Sequence, residues 1–361
     1  MTMRKSVLTV LGVILLSCMC MVNKAAYAEE NGSVEAGSGT EEKIQIRILI
    51  LPKFEIGAMT DDIHGEAQYY YEGYLDGCET FEIPHGEKDG LLYYKDGVAL
   101  YMVGMGKVNS ALSTMAVLSD ERFDFSEAYI ISTGCAGSAK GYGVMGDVYI
   151  TTAIADYDLG HHGDVREMTG STEENMTTWF HDPSFDEQAV VRLDEKLTDQ
   201  VYDLVKDVPL ETTEYTRNTM RVSFEGEEWA DRDPMVLKGT SVTGDNYWKG
   251  EYDHANALLI VETYDLADPY AATEMEDIAV AAAVERMGLL DHFLVIRDSV
   301  NMDVFMQGAT PESLWSLEND ADISGAEEKM EILDGFDTAM RNNYIVGSKI
   351  IDAILYEGFN P

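Results

Sequence analysis

Positive charge is scarce in this sequence: its 361 residues include 25 Lys and Arg against 66 Asp and Glu, which gives a formal net charge of −41. A chain this acidic is repelled by phosphate backbones, so binding to nucleic acid through charge neutralisation is excluded. Hydrophobic residues make up 45% and aromatic residues 10% of the chain, which is too much for a disordered acidic tail. The acidity therefore belongs to a folded protein, whose length allows one large domain or two ordinary ones.

Cysteine is scarce as well, and only Cys78 and Cys135 lie beyond the first 28 residues. Two cysteines cannot form a disulfide-dense scaffold. They could pair with each other in an oxidising compartment, but Cys135 lies in a Gly-rich turn that we assign to a site below, so we expect two free thiols. After residue 28, no stretch approaches the roughly 20 uncharged apolar residues that a membrane helix needs, which excludes a multi-pass transporter.

Residues 1–28 have the pattern of a signal peptide, because Arg4 and Lys5 precede an apolar run over 7–22 and Ala26-Tyr27-Ala28 forms a small-residue cleavage site. Cleavage near Ala28 would make the protein extracytoplasmic, either secreted or on the cell surface, with a charge of 22 − 66 = −44. A second interpretation takes residues 15–18 as a lipobox, with a lipid anchor at Cys18. An uncleaved membrane anchor is a third.

Residues 29–43 are rich in Gly, Ser and Glu, which is typical of a flexible linker. From Ile44 onward, near-continuous apolar runs predict strands that are covered on both faces: 44–51, 98–103, 128–132, 148–155, 239–243, 258–261 and 293–296. Helical patterns lie between several of them, at 107–118, 186–205, 273–287 and 330–355. This alternation predicts one α/β domain with three layers over 44–361, carrying a helical insertion or flap at about 165–237.

Two Gly-rich turns follow predicted strands. Residues 104–109 (GMGKVN) lie between a strand and a helix, where glycines let a ligand approach the backbone and a helix N-terminus presents free N–H groups. Residues 132–139 (STGCAGSA) form a turn whose amides could hold an oxygen-rich group. Each is equally explained as a tight structural turn, and residues 104–109 have neither the Rossmann nor the P-loop pattern.

Three polar segments also follow or precede strands. Residues 243–248 (TGDNYW) combine Asp245 and Tyr247, which suits a planar heterocycle that stacks on the aromatic ring and is hydrogen-bonded at its edge. The alternative is that the aromatic side chains simply pack on a neighbouring helix. The acids of 274–277 could bind ribose hydroxyls or complement a helix dipole. Residues 297–303 (RDSVNMD) lie at a strand's carboxyl end, where open α/β sheets place their sites.

A metal site is not expected. His161 and His162 lie near several aspartates, but adjacent histidines diverge on a strand and no further ligand spacing is present. No motif indicates a cofactor, although phosphate remains open as a co-substrate.

In this order, the segments at 46–55, 104–114, 131–152, 242–247, 273–279 and 295–303 resemble the nucleoside phosphorylase and nucleosidase superfamily, in particular the purine nucleoside permease family. The resemblance implies a three-layer αβα fold with a mixed central sheet and a purine nucleoside site at strand ends. It also implies a homodimer, because related enzymes complete their pockets from a neighbouring subunit.

The resemblance assigns roles to single residues. Tyr247 would stack on the base, Glu276 would bind the ribose hydroxyls with Met275 under the sugar, and Cys135 would lie near phosphate or the nucleophilic water. Gly106 and Lys107 would line the same pocket. Glu55 would be the nearest match to the acid that activates water.

The sequence departs from the family at two positions. Asn301 stands where many members have the Asp that protonates the base, so either Asn301 stabilises the leaving base as an amide or Asp303 acts as the acid. Ser132 replaces the Arg that holds phosphate, which leaves backbone amides and Arg297 to do so. Both departures favour hydrolysis, or binding without chemistry, over phosphorolysis. The function expected is thus N-glycosidic cleavage of a purine nucleoside; the rival is a non-catalytic extracytoplasmic receptor for nucleoside uptake.

Overall fold

The computed structural model describes residues 42–60, 62–88, 90–164, 179–310 and 326–359. The predicted signal peptide, the lipobox, most of the predicted linker and residues 165–178 of the predicted insertion lie outside these ranges. Within them, no helix is long and apolar enough to cross a membrane. Cys78 and Cys135 are both free thiols.

The strands are, in chain order, β1 Ile44–Gln45, β2 Ile48–Leu51, β3 Glu79–Glu82, β4 Leu91–Lys95, β5 Val98–Tyr101, β6 Phe123–Asp124, β7 Tyr129–Ser138, β8 Val148–Asp156, β9 His161–His162, β10 Trp179–Phe180, β11 Val190–Arg192, β12 Val236–Thr243, β13 Tyr270–Glu274 and β14 Phe293–Met302. The helices are α1 Gln68–Tyr74, α2 Lys107–Leu118, α3 Asp186–Ala189, α4 Glu195–Val205, α5 Glu214–Ser223, α6 Glu251–Thr263, α7 Asp277–Arg286 and α8 Ala326–Tyr356.

Ten strands form one mixed sheet in the order β11-β8-β12-β13-β7-β2-β5-β4-β3, and β14 pairs with both β7 and β8. The β14–β7 pair is parallel whereas the β14–β8 and β13–β7 pairs are antiparallel. Strands β8, β12, β13, β7 and β14 therefore close on themselves at one side of the sheet. The carboxyl ends of β2, β12, β13 and β14 and the curved second half of β7 meet around this closure.

Strand β2 shows why the apolar runs are continuous. Ile48 and Ile50 pack into one core cluster, which includes buried residues of α1, α4 and α8, while Leu49 and Leu51 pack into another, which includes α2 and α7. Each face of the sheet thus carries its own helical layer. The predicted three-layer αβα architecture is confirmed.

The described part of the predicted insertion is built into the main domain. Strand β11 pairs antiparallel with β8, and Leu197, Val201 and Val205 of α4 lie in the same core cluster as α8. Segment 186–205, predicted as one helix, is consequently two helices separated by β11.

The predicted strand at 258–261 is wrong, because these residues belong to α6. Ala257 and Ile260 are buried while Leu258 is 48% exposed, so the burial follows a helical period. A four-residue apolar run does not by itself distinguish a strand from a helix.

Candidate active site

Five residues from two strands and from loops that follow strands come together in what we call the strand-end site: Glu66, Gly106, Cys135, Glu276 and Arg297. Glu66 immediately precedes the turn into α1, Gly106 precedes α2, and Glu276 precedes α7. Cys135 and Arg297 lie on the paired strands β7 and β14. The parallel crossovers of the fold place these positions at one edge of the sheet, although they are far apart in sequence.

Arg297 lies at the bottom of this site and is 1% exposed. Its Nε donates to Asp277 Oδ2 (2.9 Å), and one terminal nitrogen lies 2.8 Å from Asp277 Oδ1, 3.1 Å from Glu274 Oε2 and 3.2 Å from Glu276 Oε2. The other terminal nitrogen donates to the Cys135 carbonyl (2.9 Å). One buried cation thus neutralises part of a cluster of three carboxylates. These carboxylates raise the pKa of the Arg297 guanidinium well above its usual value, although burial opposes the shift.

For the acids at 274–277, the sequence left open whether they complement the helix dipole or bind ribose hydroxyls, and the structure gives Glu274 and Glu276 different contacts. Glu274 Oε2 accepts from the backbone N–H groups of Glu276 and Asp277, both at 2.7 Å, so Glu274 caps the start of α7. Glu276 is left for the site: its Oε1 accepts from the Gly106 N–H (3.0 Å). Burial, with help from Glu274 and Glu66, raises the pKa of Glu276 to about 7, although Arg297 and Lys53 oppose the shift.

The carboxylate beside Cys135 is Glu66, which the sequence analysis did not single out. Its Oε1 accepts from the Cys135 N–H (2.9 Å) and its Oε2 from the Lys53 N–H (2.7 Å), and the residue is 5% exposed. A β-carbon at Gly134 would overlap this carboxylate, which explains a glycine at that position. Burial and Glu66 together raise the pKa of the Cys135 thiol well above its usual value, so Cys135 is a neutral group here.

Glu55, the acid singled out from the sequence, has a different environment. Its two oxygens accept from four backbone N–H groups, those of Ile56 (2.8 Å), Gly65, Ala67 (2.9 Å) and Gln68 (2.7 Å). These contacts fold the loop that carries Glu66 and begin α1. Glu55 therefore holds the loop, and Glu66 is the acid of that loop that reaches Cys135.

Two lysines lie close to the site, and both are already paired. Lys53 is 2% exposed and its Nζ donates to Ser132 Oγ (2.6 Å), the Leu51 carbonyl (3.0 Å) and the Thr133 carbonyl (3.0 Å). Burial and Arg297 lower its pKa.

Lys107 begins α2, and its Nζ binds Asp156 Oδ1 (2.9 Å) and Asp158 Oδ2 (2.8 Å). Its backbone N–H donates to Asp245 Oδ1 (2.8 Å). The pKa of Lys107 is raised because these bonds outweigh the effect of its burial.

The residues predicted to bind the base and the sugar lie on the loop after β12, between β13 and α7, and on β14. Tyr247 is 49% exposed, on the loop between β12 and α6, and Lys249 Nζ lies 6.0 Å from its ring centroid. Met275 is half-buried between Glu274 and Glu276. Asn301 is half-buried on β14, and its Oδ1 would be 2.8 Å from a β-carbon at Gly137. Gly137 and Cys135 both belong to β7, so the turn predicted over 132–139 is wrong: residues 132–138 continue this strand.

Asp303 is 1% exposed, and both of its oxygens are bonded. Oδ1 accepts from the Lys140 N–H (3.0 Å) and Oδ2 lies 2.6 Å from His254 Nδ1. His254 is a second residue that the sequence analysis missed. Its one sequence signal is its place in the first turn of a helix that follows the Tyr247 loop.

No metal centre is evident in the part of the chain that the structure describes, which holds no group of three or more His, Cys, Asp or Glu arranged to bind an ion. His161 and His162 form β9, which pairs with β10, and both are exposed.

Known proteins are similar to this chain in sequence and in fold. Residues 45–358 match the model of the purine nucleoside permease family. A Schizosaccharomyces pombe protein named as a probable purine nucleoside permease is 26% identical over 273 residues, which cover 70% of this chain and 74% of that protein. The 5′-methylthioadenosine/S-adenosylhomocysteine nucleosidase of Bacillus subtilis is 33% identical over 104 residues, which cover 29% of this chain and 41% of that protein.

The solved futalosine hydrolase of Helicobacter pylori superimposes with a TM-score of 0.50 at 14% identity, over 85% of this chain and 97% of that one. This likeness concerns the fold. The predicted nucleoside phosphorylase-like class is confirmed.

Proposed function

The chain belongs to the purine nucleoside permease family, and we propose that its strand-end site binds a purine nucleoside and cleaves the N-glycosidic bond with water. The observation that carries this proposal is the position of Glu66. Its buried carboxylate is fixed by the N–H groups of Lys53 and Cys135 and lies within electrostatic range of Glu276. A fixed carboxylate beside a second carboxylate suits general-base activation of water next to a bound sugar.

Glu276 is the proposed ribose ligand. The Gly106 N–H and Arg297 hold its two oxygens in place from one side, which leaves the remaining lone pairs to accept hydrogen bonds from two adjacent hydroxyls. Met275 is proposed to pack under the sugar. The base is proposed to lie between Tyr247 and Asn301, with Asp245 at the rim.

The cations of the site favour water over phosphate as the attacking group. Arg297 is bound by three carboxylates, Lys53 by three oxygens, and Lys107 by Asp156 and Asp158. The amide of Cys135, which could otherwise bind phosphate, already donates to Glu66. Bringing in a phosphate dianion would therefore break existing ion pairs or place it beside Glu66 at a repulsive distance.

The proposed reaction follows from these positions. As the glycosidic bond lengthens, positive charge develops on the ribose and is stabilised by Glu66 and Glu276. Glu66 accepts a proton from water, whose oxygen bonds to the anomeric carbon. The electron pair of the broken bond passes to the base, where the Asn301 amide can donate a hydrogen bond.

A second candidate is a receptor that binds nucleosides for uptake without cleaving them. Asn301 favours it, because an amide cannot deliver a proton to a leaving base. The permease name of the Schizosaccharomyces pombe relative points the same way. Export by the signal peptide at 1–28, an anchor at Cys18 and a homodimer remain predictions that suit either function.

The test is base release by the purified protein. Inosine and adenosine are incubated with and without phosphate, and free hypoxanthine or adenine is separated by chromatography, with Glu66→Gln as the matched variant. Phosphate-independent release that is lost in Glu66→Gln is expected. Tight nucleoside binding without release by the unsubstituted protein would reject the enzyme and support the receptor, and dependence on phosphate would reject hydrolysis.

A further inference from the structure

We propose that His254 is the proton donor to the leaving purine and that Asp303 is its positioning residue. This inference rests on the proposed function, since it concerns the same reaction. It supplies the acid that Asn301 cannot be.

The geometry of the pair is that of an Asp–His dyad. Asp303 Oδ2 lies 2.6 Å from His254 Nδ1, and the Asp303 side chain has no exposed surface. Its other oxygen is held by the Lys140 N–H, so the carboxylate is fixed and Nδ1 carries the proton that it accepts. Asp303 has no free oxygen with which to reach a base itself. His254 is therefore the group of the pair that can transfer a proton.

The second ring nitrogen of His254 is available. Nε2 has no hydrogen-bond partner among the residues that the structure describes, and the side chain is 12% exposed. A histidine whose Nδ1 is fixed by a carboxylate and whose Nε2 is open to a ligand is the arrangement used for general acid–base transfer.

The dyad lies beside the proposed base position. Asn301 pairs with Gly137 of β7, and Asp303 follows the last residue of β14, where its N–H donates to the carbonyl of the neighbouring Ser138 (2.9 Å). The Gly250 N–H donates to the Asp303 carbonyl (2.8 Å), which ties the loop that carries Tyr247 to this strand. His254 follows one helical turn later, with its N–H donating to the Gly250 carbonyl (2.9 Å). The ring and the amide proposed to hold the base thus flank the dyad.

Other charged groups around the dyad are accounted for. Lys249 faces Asp303, and burial lowers its pKa. The Lys140 side chain is paired with Glu251 (2.7 Å) and the Tyr270 ring lies 5.8 Å from that of His254. Lys249 is the competing proton donor, but Asp303 acts on it only electrostatically, whereas His254 is hydrogen-bonded to Asp303.

The step balances as follows. The bond between the anomeric carbon and N9 breaks, and its electron pair goes to the purine. The proton on Nε2 of the His254 imidazolium passes to a purine ring nitrogen, while a water proton passes to Glu66 and the water oxygen bonds to the anomeric carbon. Ribose and the free purine leave, Glu66 loses its proton to solvent, and His254 regains one.

The experiment compares inosine with 7-methylinosine, whose base leaves as a neutral molecule and needs no proton. The purified full protein carries His254→Asn, in which the amide nitrogen keeps the bond to Asp303 but cannot transfer a proton. The control is His292→Asn, the same substitution at a histidine outside the site, immediately before β14. We expect kcat for inosine to fall about 10²- to 10⁴-fold in His254→Asn. We expect 7-methylinosine cleavage to change less than threefold.

Equal losses on both substrates, or no loss on inosine, would overturn the inference while leaving the proposed function intact. So would loss of inosine cleavage in Lys249→Met with retention in His254→Asn, which would assign the proton to the ammonium group. Failure of the unsubstituted protein to cleave either substrate is a different result: it would overturn the proposed function and this step with it.

Discussion

Glu55 and Glu66 provide a matched pair of substitutions that separates loop folding from chemistry. Both lie in the loop between β2 and α1, Glu66 buried and Glu55 half-buried, and both carboxylates accept backbone N–H bonds. Only Glu66 lies against Cys135. Glu66→Gln should therefore abolish turnover at a modest cost in stability, whereas Glu55→Gln should cost more stability and spare the chemistry of the molecules that remain folded.

The magnitudes follow from the bonds. Glu66 accepts one N–H on each oxygen, so glutamine keeps one bond and turns its NH₂ toward the other donor, a loss of roughly 1.5–3 kcal/mol for a hydrogen bond to a charged group. Glu55 accepts two N–H groups on each oxygen, so the same change removes two bonds, or roughly 3–6 kcal/mol. The rate should change in the opposite order. Removal of a general base at Glu66 costs about 10²- to 10⁴-fold in kcat.

The assay measures urea unfolding by intrinsic fluorescence and hypoxanthine release from inosine on the same preparations. Release rates are corrected for the folded fraction, and inosine binding to Glu66→Gln is measured by calorimetry to show that its site is intact. If Glu55→Gln loses turnover per folded molecule and Glu66→Gln retains it, the assignment of the base to Glu66 is refuted. If the two variants lose equal stability, the bond count is refuted.

Three further predictions concern the same site. Burial raises the pKa of Glu276 from 4.5 to about 7, so the folded state holds a proton that the unfolded state loses, and the free energy of unfolding should fall by about 3 kcal/mol as pH rises from 4.5 to 7. Glu276→Gln should remove that pH dependence in urea titrations. The affinity of the unsubstituted protein for inosine should rise through the same pH window, because the carboxylate ionises there. Arg297→Met leaves buried carboxylates without their cation and should lower the free energy of unfolding by about 3–5 kcal/mol, with a smaller loss in Arg297→Lys; equal losses would contradict the role of the planar guanidinium. Gly134→Ala should displace Glu66 and lower kcat by at least tenfold with an unchanged far-ultraviolet circular dichroism spectrum, and normal turnover would show that the contact is not required.

Local signals were enough to predict the elements that start or end at special residues. Helix α2 was predicted with its observed bounds because a Gly-Met-Gly turn precedes it. The buried strands were recognisable because they are apolar on both faces. By contrast, the hairpin of β3 and β4 mixes aromatic and charged residues at a sheet edge, so neither alternation nor a continuous apolar run marks it.

Contacts among the candidate residues were predictable where a motif fixes the backbone and not where a loop sets the position. Gly106 and Glu276 each stand at the start of a helix, and family resemblance was enough to place them together. Glu66 reaches Cys135 only because Glu55 folds the intervening loop through four backbone N–H groups. The length and course of such a loop follow from tertiary contacts, and the motif that suggested Glu55 therefore indicates the acid that holds the loop and not the one that contacts Cys135. The pairing of His254 with Asp303 similarly depends on how α6 packs against β14.

The large negative charge of the chain has a local counterpart that bears on which ligands the site can accept. In water, charges beyond about 10 Å are largely screened at 0.1 M salt, so the net charge of −41 mainly affects long-range encounter. What a bound ligand meets is the set of ion pairs within a few ångströms. There Arg297 and Lys107 are each bound by carboxylates, and Lys53 Nζ lies 3.7 Å from Asp277 Oδ1. A neutral nucleoside disturbs none of these pairs, because its hydroxyls and ring nitrogens need only hydrogen bonds. To bind a nucleotide or free phosphate, one of these cations must separate from its carboxylate. Leaving that carboxylate unpaired inside the site weakens binding by several kcal/mol. We therefore expect the pairing inside the site to select for uncharged ligands, with the acidic surface acting in the same direction.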